Sequence, residues 1–179
     1  MASIITATVS SGLTQQADNS GVLQLASGTG NLVTIPAVTG TAMVSGAMPA
    51  FSAYLTSDQT VTAGVFTKVN LTTENFDTNS NFASSRFTPT VAGYYQINAG
   101  AYGGSVTRIL CAIVKNGSSY YYGTDYQTAD TEQRSRVSML LYMNGTTDYV
   151  ELFALLAGGT VIGNLEENTF FNGFLARAA

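Results

Sequence analysis

Two Asn-Gly pairs, Asn116-Gly117 and Asn144-Gly145, each follow one apolar run and precede another. Asn-Gly tolerates the left-handed backbone of a tight turn, so it is the strongest short-range signal for a β-hairpin. The first pair would join Ile109 to Lys115 with Tyr120 to Tyr122, and the second Val137 to Met143 with Tyr149 to Leu156. The same rhythm recurs in Phe51 to Leu55, Phe66 to Leu71, Tyr94 to Tyr102 and Phe170 to Ala176. Side chains two apart share a face of a strand. Tyr95, Ile97, Ala99 and Ala101 therefore fall on one side, as do Val150, Leu152, Ala154 and Leu156. No helical period persists beyond a turn or two. Many short strands separated by turn residues predict an all-β sandwich or jelly roll.

Residues 1–48 differ from the rest. They hold one charged residue, Asp18, and no aromatic, whereas every Tyr and Phe lies between Phe51 and Phe174. Short β-rich pieces (Ile4 to Val9, Val22 to Leu25, Leu32 to Ile35, Ala42 to Val44) alternate with Gly12, Gly21, Gly28, Gly30, Pro36 and Gly40. Without aromatics this segment has little to bury by itself, yet it lacks the charge of a disordered tail. It reads as an attachment and oligomerisation arm, ordered by partners or by trimerisation, ahead of a head at 49–179.

Charge narrows the function. Only 10% of the 179 residues are charged, against about 25% in typical domains. Thr, Ser, Asn, Gln and Gly take their place, which suits packing against copies of the chain because few charges must be desolvated. The net charge is −4 and no basic residue precedes Lys68, so nucleic acid and anionic membrane are not expected partners. No apolar stretch reaches the roughly 20 residues of a membrane span. Met1 to Thr6 lacks the basic start of a signal peptide, which favours a protein made and assembled in a cytoplasm.

The chemistry of catalysis is thin. Histidine is absent, which removes histidine-dependent triads and imidazole zinc sites. Tryptophan is absent too. Gly28-Thr29-Gly30 lacks the rest of a phosphate-loop pattern and reads as a turn. The single cysteine, Cys111, sits in an apolar run and reads as a buried thiol. Glu166 and Glu167 are adjacent, so on a strand they would point to opposite faces. No catalytic residue and no cofactor are expected.

Three groups of residues remain as candidates. Asp125, Asp130 and Glu132 fall in one expected loop, Gly123 to Arg136, where three oxygen donors would suit calcium; the plainer reading is a solvated loop held by Arg134 and Arg136. Tyr120, Tyr122 and Tyr126 are candidates for ligand contact, since tyrosine joins a stacking face to a polar tip. Structurally, three tyrosines in a row must straddle both faces of a strand, so at least one belongs to a core or interface. In the closing strand Phe171, Gly173 and Leu175 face one way, and Phe170, Asn172 and Phe174 the other. A sandwich covers one face of each sheet. Large residues on both sides imply a second cover, a neighbouring subunit.

Four motifs occur in order: Ala50-Phe51-Ser52-Ala53 after a proline, Phe87-x-Pro89-x-x-x-Gly93-x-Tyr95-x-Ile97, the Val114 to Gly117 hairpin, and Thr169-Phe170-x-x-Gly173-Phe174-Leu175. Together they resemble the C1q-like globular head and, more distantly, tumour necrosis factor, over residues 49–179. The resemblance implies a jelly-roll sandwich and a homotrimer whose inner sheets meet at an axis, with Tyr95, Phe171 and Phe174 at that interface or in the core. Calcium near the apex of such trimers adds weight to Asp125, Asp130 and Glu132. The collagen repeats usual before such heads are missing, and Asn144 to Asp148 replaces the family's Gly-Asp, so immune roles do not carry over. The arm, in Val33 to Thr41, resembles segments before similar heads in bacteriophage fibres and decoration proteins. That implies a virion surface protein, its arm on capsid or tail proteins and its head projecting towards a host-surface protein or glycan. The alternative is a secreted or cell-surface protein- or glycan-binding module.

Overall fold

The structure, a computed structural model, describes residues 23–26, 32–35, 48–127 and 130–179. The chain divides into two compact units, Met1–Met43 and Val44–Ala179. In the first, β1 (Leu23–Ala26) pairs antiparallel with β2 (Leu32–Ile35), Leu23 opposite Ile35 and Ala26 opposite Leu32. Two of the four expected arm strands are thus present; Ile4 to Val9 and Ala42 to Val44 lie outside the described residues.

The second unit is a two-sheet β-sandwich. Its strands are β3 (Ala50–Tyr54), β4 (Gln59–Thr60), β5 (Thr67–Lys68), β6 (Thr73–Asp77), β7 (Phe82–Ala83), β8 (Arg86–Phe87), β9 (Gly93–Val106), β10 (Arg108–Lys115), β11 (Ser119–Tyr122), β12 (Asp130–Met143), β13 (Val150–Ala157), β14 (Val161–Gly163) and β15 (Phe170–Ala178). The seven-stranded sheet runs β4-β14-β9-β15-β3-β6, with β12 on the other side of β9. The six-stranded sheet runs β11-β10-β13-β8-β7, with β5 also on β13.

Period-two alternation builds the core between the sheets. Tyr95, Ile97, Ala99 and Ala101 of β9 face Ile109, Cys111 and Ile113 of β10 and Leu152, Ala154 and Leu156 of β13, all buried. The aromatic centre is Phe51, stacked on Phe87 at 4.3 Å and Phe82 at 5.0 Å and edge-on to Phe171 at 5.0 Å. These rings come from strands far apart in sequence, so they fasten the two sheets to each other. Truncating any of them costs about 3–5 kcal/mol. Gly93 opens β9 because β15 leaves it no room: a Cβ there would lie 2.4 Å from the Arg177 carbonyl oxygen. Close strand approach is what requires glycine there.

The two Asn-Gly pairs behave differently. Asn116 and Gly117 both have positive φ, 53° and 69°, and the Ser118 N–H donates to the Lys115 carbonyl at 3.2 Å. That is the expected hairpin between β10 and β11. Asn144-Gly145 does not make a hairpin. β12 pairs with β9 and β13 with β10, so the chain crosses from one sheet to the other there. Asn144 caps that crossing: its Oδ1 accepts N–H bonds from Thr146, Thr147 and Asp148 at 2.9–3.0 Å. The dipeptide specifies a tight turn, not the pairing of the strands around it.

The expected loop Gly123 to Arg136 also needs correction. β12 starts at Asp130, placing Glu132, Arg134 and Arg136 on a strand opposite Gly104, Tyr102 and Gly100 of β9. Polar residues at the inward positions hid it. Buried Ser135 accepts from the Cys111 N–H at 2.9 Å and donates to the Thr124 carbonyl at 2.6 Å, while Gln133 donates to the Val106 carbonyl at 3.0 Å. The expected strand Phe66 to Leu71 shrinks to Thr67–Lys68.

Candidate functional site

The outward face of β3, β15, β9 and β12 is the first candidate. Register sets its rows: Tyr54, Phe170, Gly100 and Arg136; then Ser52, Asn172, Asn98 and Ser138; then Ala50, Phe174, Gln96 and Leu140; then Arg177, Tyr94 and Tyr142. Leu140 is 55% exposed, Phe174 47%, Tyr142 44% and Tyr94 43%. These four adjoin, and Tyr94 meets Tyr142 edge-on at 5.5 Å. Beside them runs an uncharged band. Gln96 donates to Asn98 at 3.2 Å and Ser138 at 2.8 Å, Ser138 to Asn98 at 2.8 Å, and Asn98 to Asn172 at 3.1 Å. Polar groups already bonded to one another cost little when covered. The face therefore combines exposed apolar area with a low desolvation penalty, the composition of a subunit interface.

The three interface-or-core residues divide. Tyr95 and Phe171 are fully buried in the sandwich, and Phe174 alone stands on the outward face. The Tyr95 hydroxyl donates to the Val91 carbonyl at 2.8 Å, and burial pushes its phenol up to about 12. Cys111 is the expected buried thiol; burial raises its pKa, and the Ser135 hydroxyl lies 3.2 Å from its sulfur.

The tyrosine run sits on the other sheet. Tyr121 packs against the core, while Tyr120 and Tyr122 point outward and stack at 5.9 Å. Phe66, delivered by the segment before β5, closes on both, at 5.8 Å from Tyr120 and 5.7 Å from Tyr122; Phe153 meets Tyr120 at 6.3 Å. Tyr126 is exposed but joins no ring contact with that cluster among the described residues. Sequence reasoning missed Phe66 and Phe153. Alternation did place Phe153 outward, opposite Val150, Leu152 and Ala154, but nothing local linked it to Tyr120.

The calcium candidates are engaged elsewhere. Asp125 holds Arg108 through two bonds of 2.9 Å and accepts from Gln127 at 2.8 Å; the Arg108 guanidinium keeps its carboxyl below the usual range. Glu132 pairs with Arg134 at 3.2 Å. The side chain of Asp130 lies outside the described residues. Among the described residues no three acidic or thiol groups gather as a metal cluster. Arg134 and Arg136 are also occupied. Arg134 donates to Asn168 at 2.8 Å and lies 5.1 Å over Tyr102. Arg136 holds the Asn168 and Glu167 carbonyls at 2.9 Å and lies 5.2 Å over Phe170. Both arginines thereby fix the turn before β15.

Glu166 and Glu167 lie in that turn rather than on a strand, and both border one concavity of about 440 Å³ with Ser52, Phe170 and Asn172. The alternation expected of the pair on a strand does not apply, because they lie in a turn and adjacency separates side chains only on an extended backbone. Asn75 donates to Glu166 at 2.6 Å.

Residues 50–176 match the C1q domain. The chain belongs to the C1q domain family. No curated protein matches the sequence. Among solved structures, the globular domain of zebrafish complement 1qA protein is similar at 18% identity, covering 73% of this chain and 99% of that one, with a TM-score of 0.58. Murine APRIL is similar at 7% identity, covering 72% and 98%, with a TM-score of 0.56. The TNF protein Eiger from S. frugiperda is similar at 10% identity, covering 74% and 93%, with a TM-score of 0.54. The expected C1q/TNF jelly roll is thus the fold of the head. C1q and TNF domains are non-enzymatic binding modules that generally form homotrimers.

Proposed function

We propose that this C1q-domain chain assembles as a homotrimer through the outward face of β3, β15, β9 and β12, and displays a binding head. The observation that carries this reading is the adjoining, uncovered set of Tyr94, Leu140, Tyr142 and Phe174. Covering a large apolar side chain is worth about 1.5–3 kcal/mol, and an isolated head has nothing with which to cover these four. The setting we propose is a virion surface: residues 1–48 attach to capsid or tail proteins, and the head projects towards a host-surface protein or glycan. The low charge and the aromatic-free arm favour this setting. Phe66, Tyr120 and Tyr122, on the opposite sheet, would remain open to that surface.

Two experiments test these parts separately. Light scattering after size exclusion reads the mass of the full chain; a monomer would remove the trimer. Particles purified with the protein and without residues 1–48 test the setting. Loss of the shortened chain from the particles is expected. Recovery of the full chain only as free protein would favour the secreted binding module instead.

A further inference from the structure

A second concavity, of about 480 Å³, lies on the six-stranded sheet, opposite the proposed assembly face. Its volume falls within the range of roughly 300–1,000 Å³ found for small-molecule sites. Two cations line it, Lys68 and Arg86, and both hold the same oxygen of buried Glu151, at 2.6 Å and 2.9 Å. Two positive groups on one carboxylate leave a local charge of one positive unit, and among the described residues no acidic residue lines the cavity. The Arg86 guanidinium lies 3.8 Å over the Tyr149 ring, which fixes its plane. Only its Nε is spent on Glu151; among the described residues its two terminal amino groups donate to nothing, and Lys68 uses one of its three donors. The remaining wall is hydroxyl-rich. Ser80, Ser84 and Thr88 offer hydroxyls that bond to no other protein group among the described residues, and Thr90 stands beside them.

We propose that this cavity binds a carboxylate-bearing sugar of the uronic-acid class, its carboxylate on Arg86 and Lys68 and its ring hydroxyls on the serine and threonine wall. The free end of a guanidinium matches a planar carboxylate with two parallel bonds. Hydroxyl side chains both donate and accept, as a polyol requires. The single surplus charge, on a chain of net charge −4, suits a monoanion rather than a polyanion. Binding weakens with salt, because both cations are partly exposed. The site does not depend on the trimer, so either proposal can fail alone.

The test is a titration of the isotope-labelled full chain with glucuronate at low salt, followed by amide shifts. Glucose, acetate and inorganic sulfate serve as comparisons. Glucuronate is expected to shift Ser84, Arg86, Thr88 and Thr90 saturably, glucose not at all, and acetate and sulfate to bind about tenfold more weakly. Ala83, exposed on edge strand β7 at the rim, allows a variant that spares the fold. Ala83→Glu should weaken glucuronate by about tenfold or more, and Ala83→Gln should not. The pair Arg86→Gln with Glu151→Gln removes the guanidinium without orphaning a buried carboxylate, and should also lose binding. The proposal is overturned by no saturable shift with glucuronate, by acetate or sulfate binding as tightly, or by an Ala83→Glu protein that binds as well as the parent.

Discussion

The outward face of the six-stranded sheet carries its charges in ion pairs; the polar centre of the seven-stranded sheet's outward face carries none. Phe66 closes on Tyr120 and Tyr122, Arg86 lies over Tyr149, and Lys68 and Arg86 cap Glu151. Across the sandwich, Tyr94, Leu140, Tyr142 and Phe174 form one adjoining set, each 43–55% exposed. The polar groups differ as well. The six-stranded sheet uses ion pairs, whereas the centre of the other face uses only amides and a hydroxyl, Gln96, Asn98, Asn172 and Ser138. A charged face stays hydrated at modest cost, while an uncharged, self-bonded one is suited to being buried. The first composition suits a face kept in solvent, and the second suits the assembly proposed above.

The two surfaces share a floor, so the largest effect expected falls on both. Phe51→Ala removes the ring that stacks on Phe82 and Phe87 and meets Phe171. A loss of about 3–5 kcal/mol is expected in denaturant unfolding, with one transition for both sheets. Two separate transitions would mean that the sheets are not one cooperative body.

A smaller effect should be confined to the ionic side. Glu151 is 4% exposed and holds two cations. Glu151→Gln should cost about 1–3 kcal/mol of stability and leave the oligomeric mass unchanged. A change of mass would show that the six-stranded sheet also takes part in assembly.

The same contrast predicts where acid acts. Burial by itself raises the Asp148 carboxyl, but bonds from Lys115, Asn116 and the Asn144 N–H outweigh it and hold the pKa below its ordinary 3.8. A depressed carboxylate contributes stability above its unfolded value and loses it as pH falls through the folded one. Asp148→Asn should therefore destabilise at neutral pH, and the difference from the parent should close below pH 3.8. Asn172→Ala, on the uncharged band, should carry a cost that does not follow that titration. Unfolding curves across the acid range read both.

The smallest effect is at the aromatic cap. Tyr122 is 58% exposed, so Tyr122→Ala should cost no more than about 1 kcal/mol through its ring contacts, again with no change in mass.

Much of this contrast was legible in the sequence, and the remainder was not for identifiable reasons. Strict alternation around Tyr95 and Phe171 revealed the strands and which residues share a face, but not which face is the core. The start of β12 was hidden because Gln133 and Ser135 are polar yet buried. Tyr94 and Tyr95 are both tyrosines, so composition could not say which faces out; only register with Phe174 and Tyr142 decides it. Nothing in the run Val150 to Leu156 tells what holds the charge of Glu151. Its partners lie 65 and 83 residues away, beyond the reach of local pattern. Asn144-Gly145 announced a turn correctly but not that the chain changes sheets.

The measurement that bears most directly on the contrast between the two faces is the solution mass of two proteins, the parent chain and Phe174→Glu/Leu140→Glu. The parent should have three times the 18.8 kDa chain mass, and the double variant should be a folded monomer of 18.8 kDa. A monomeric parent, or a variant that stays trimeric, would contradict the assignment of that face to assembly.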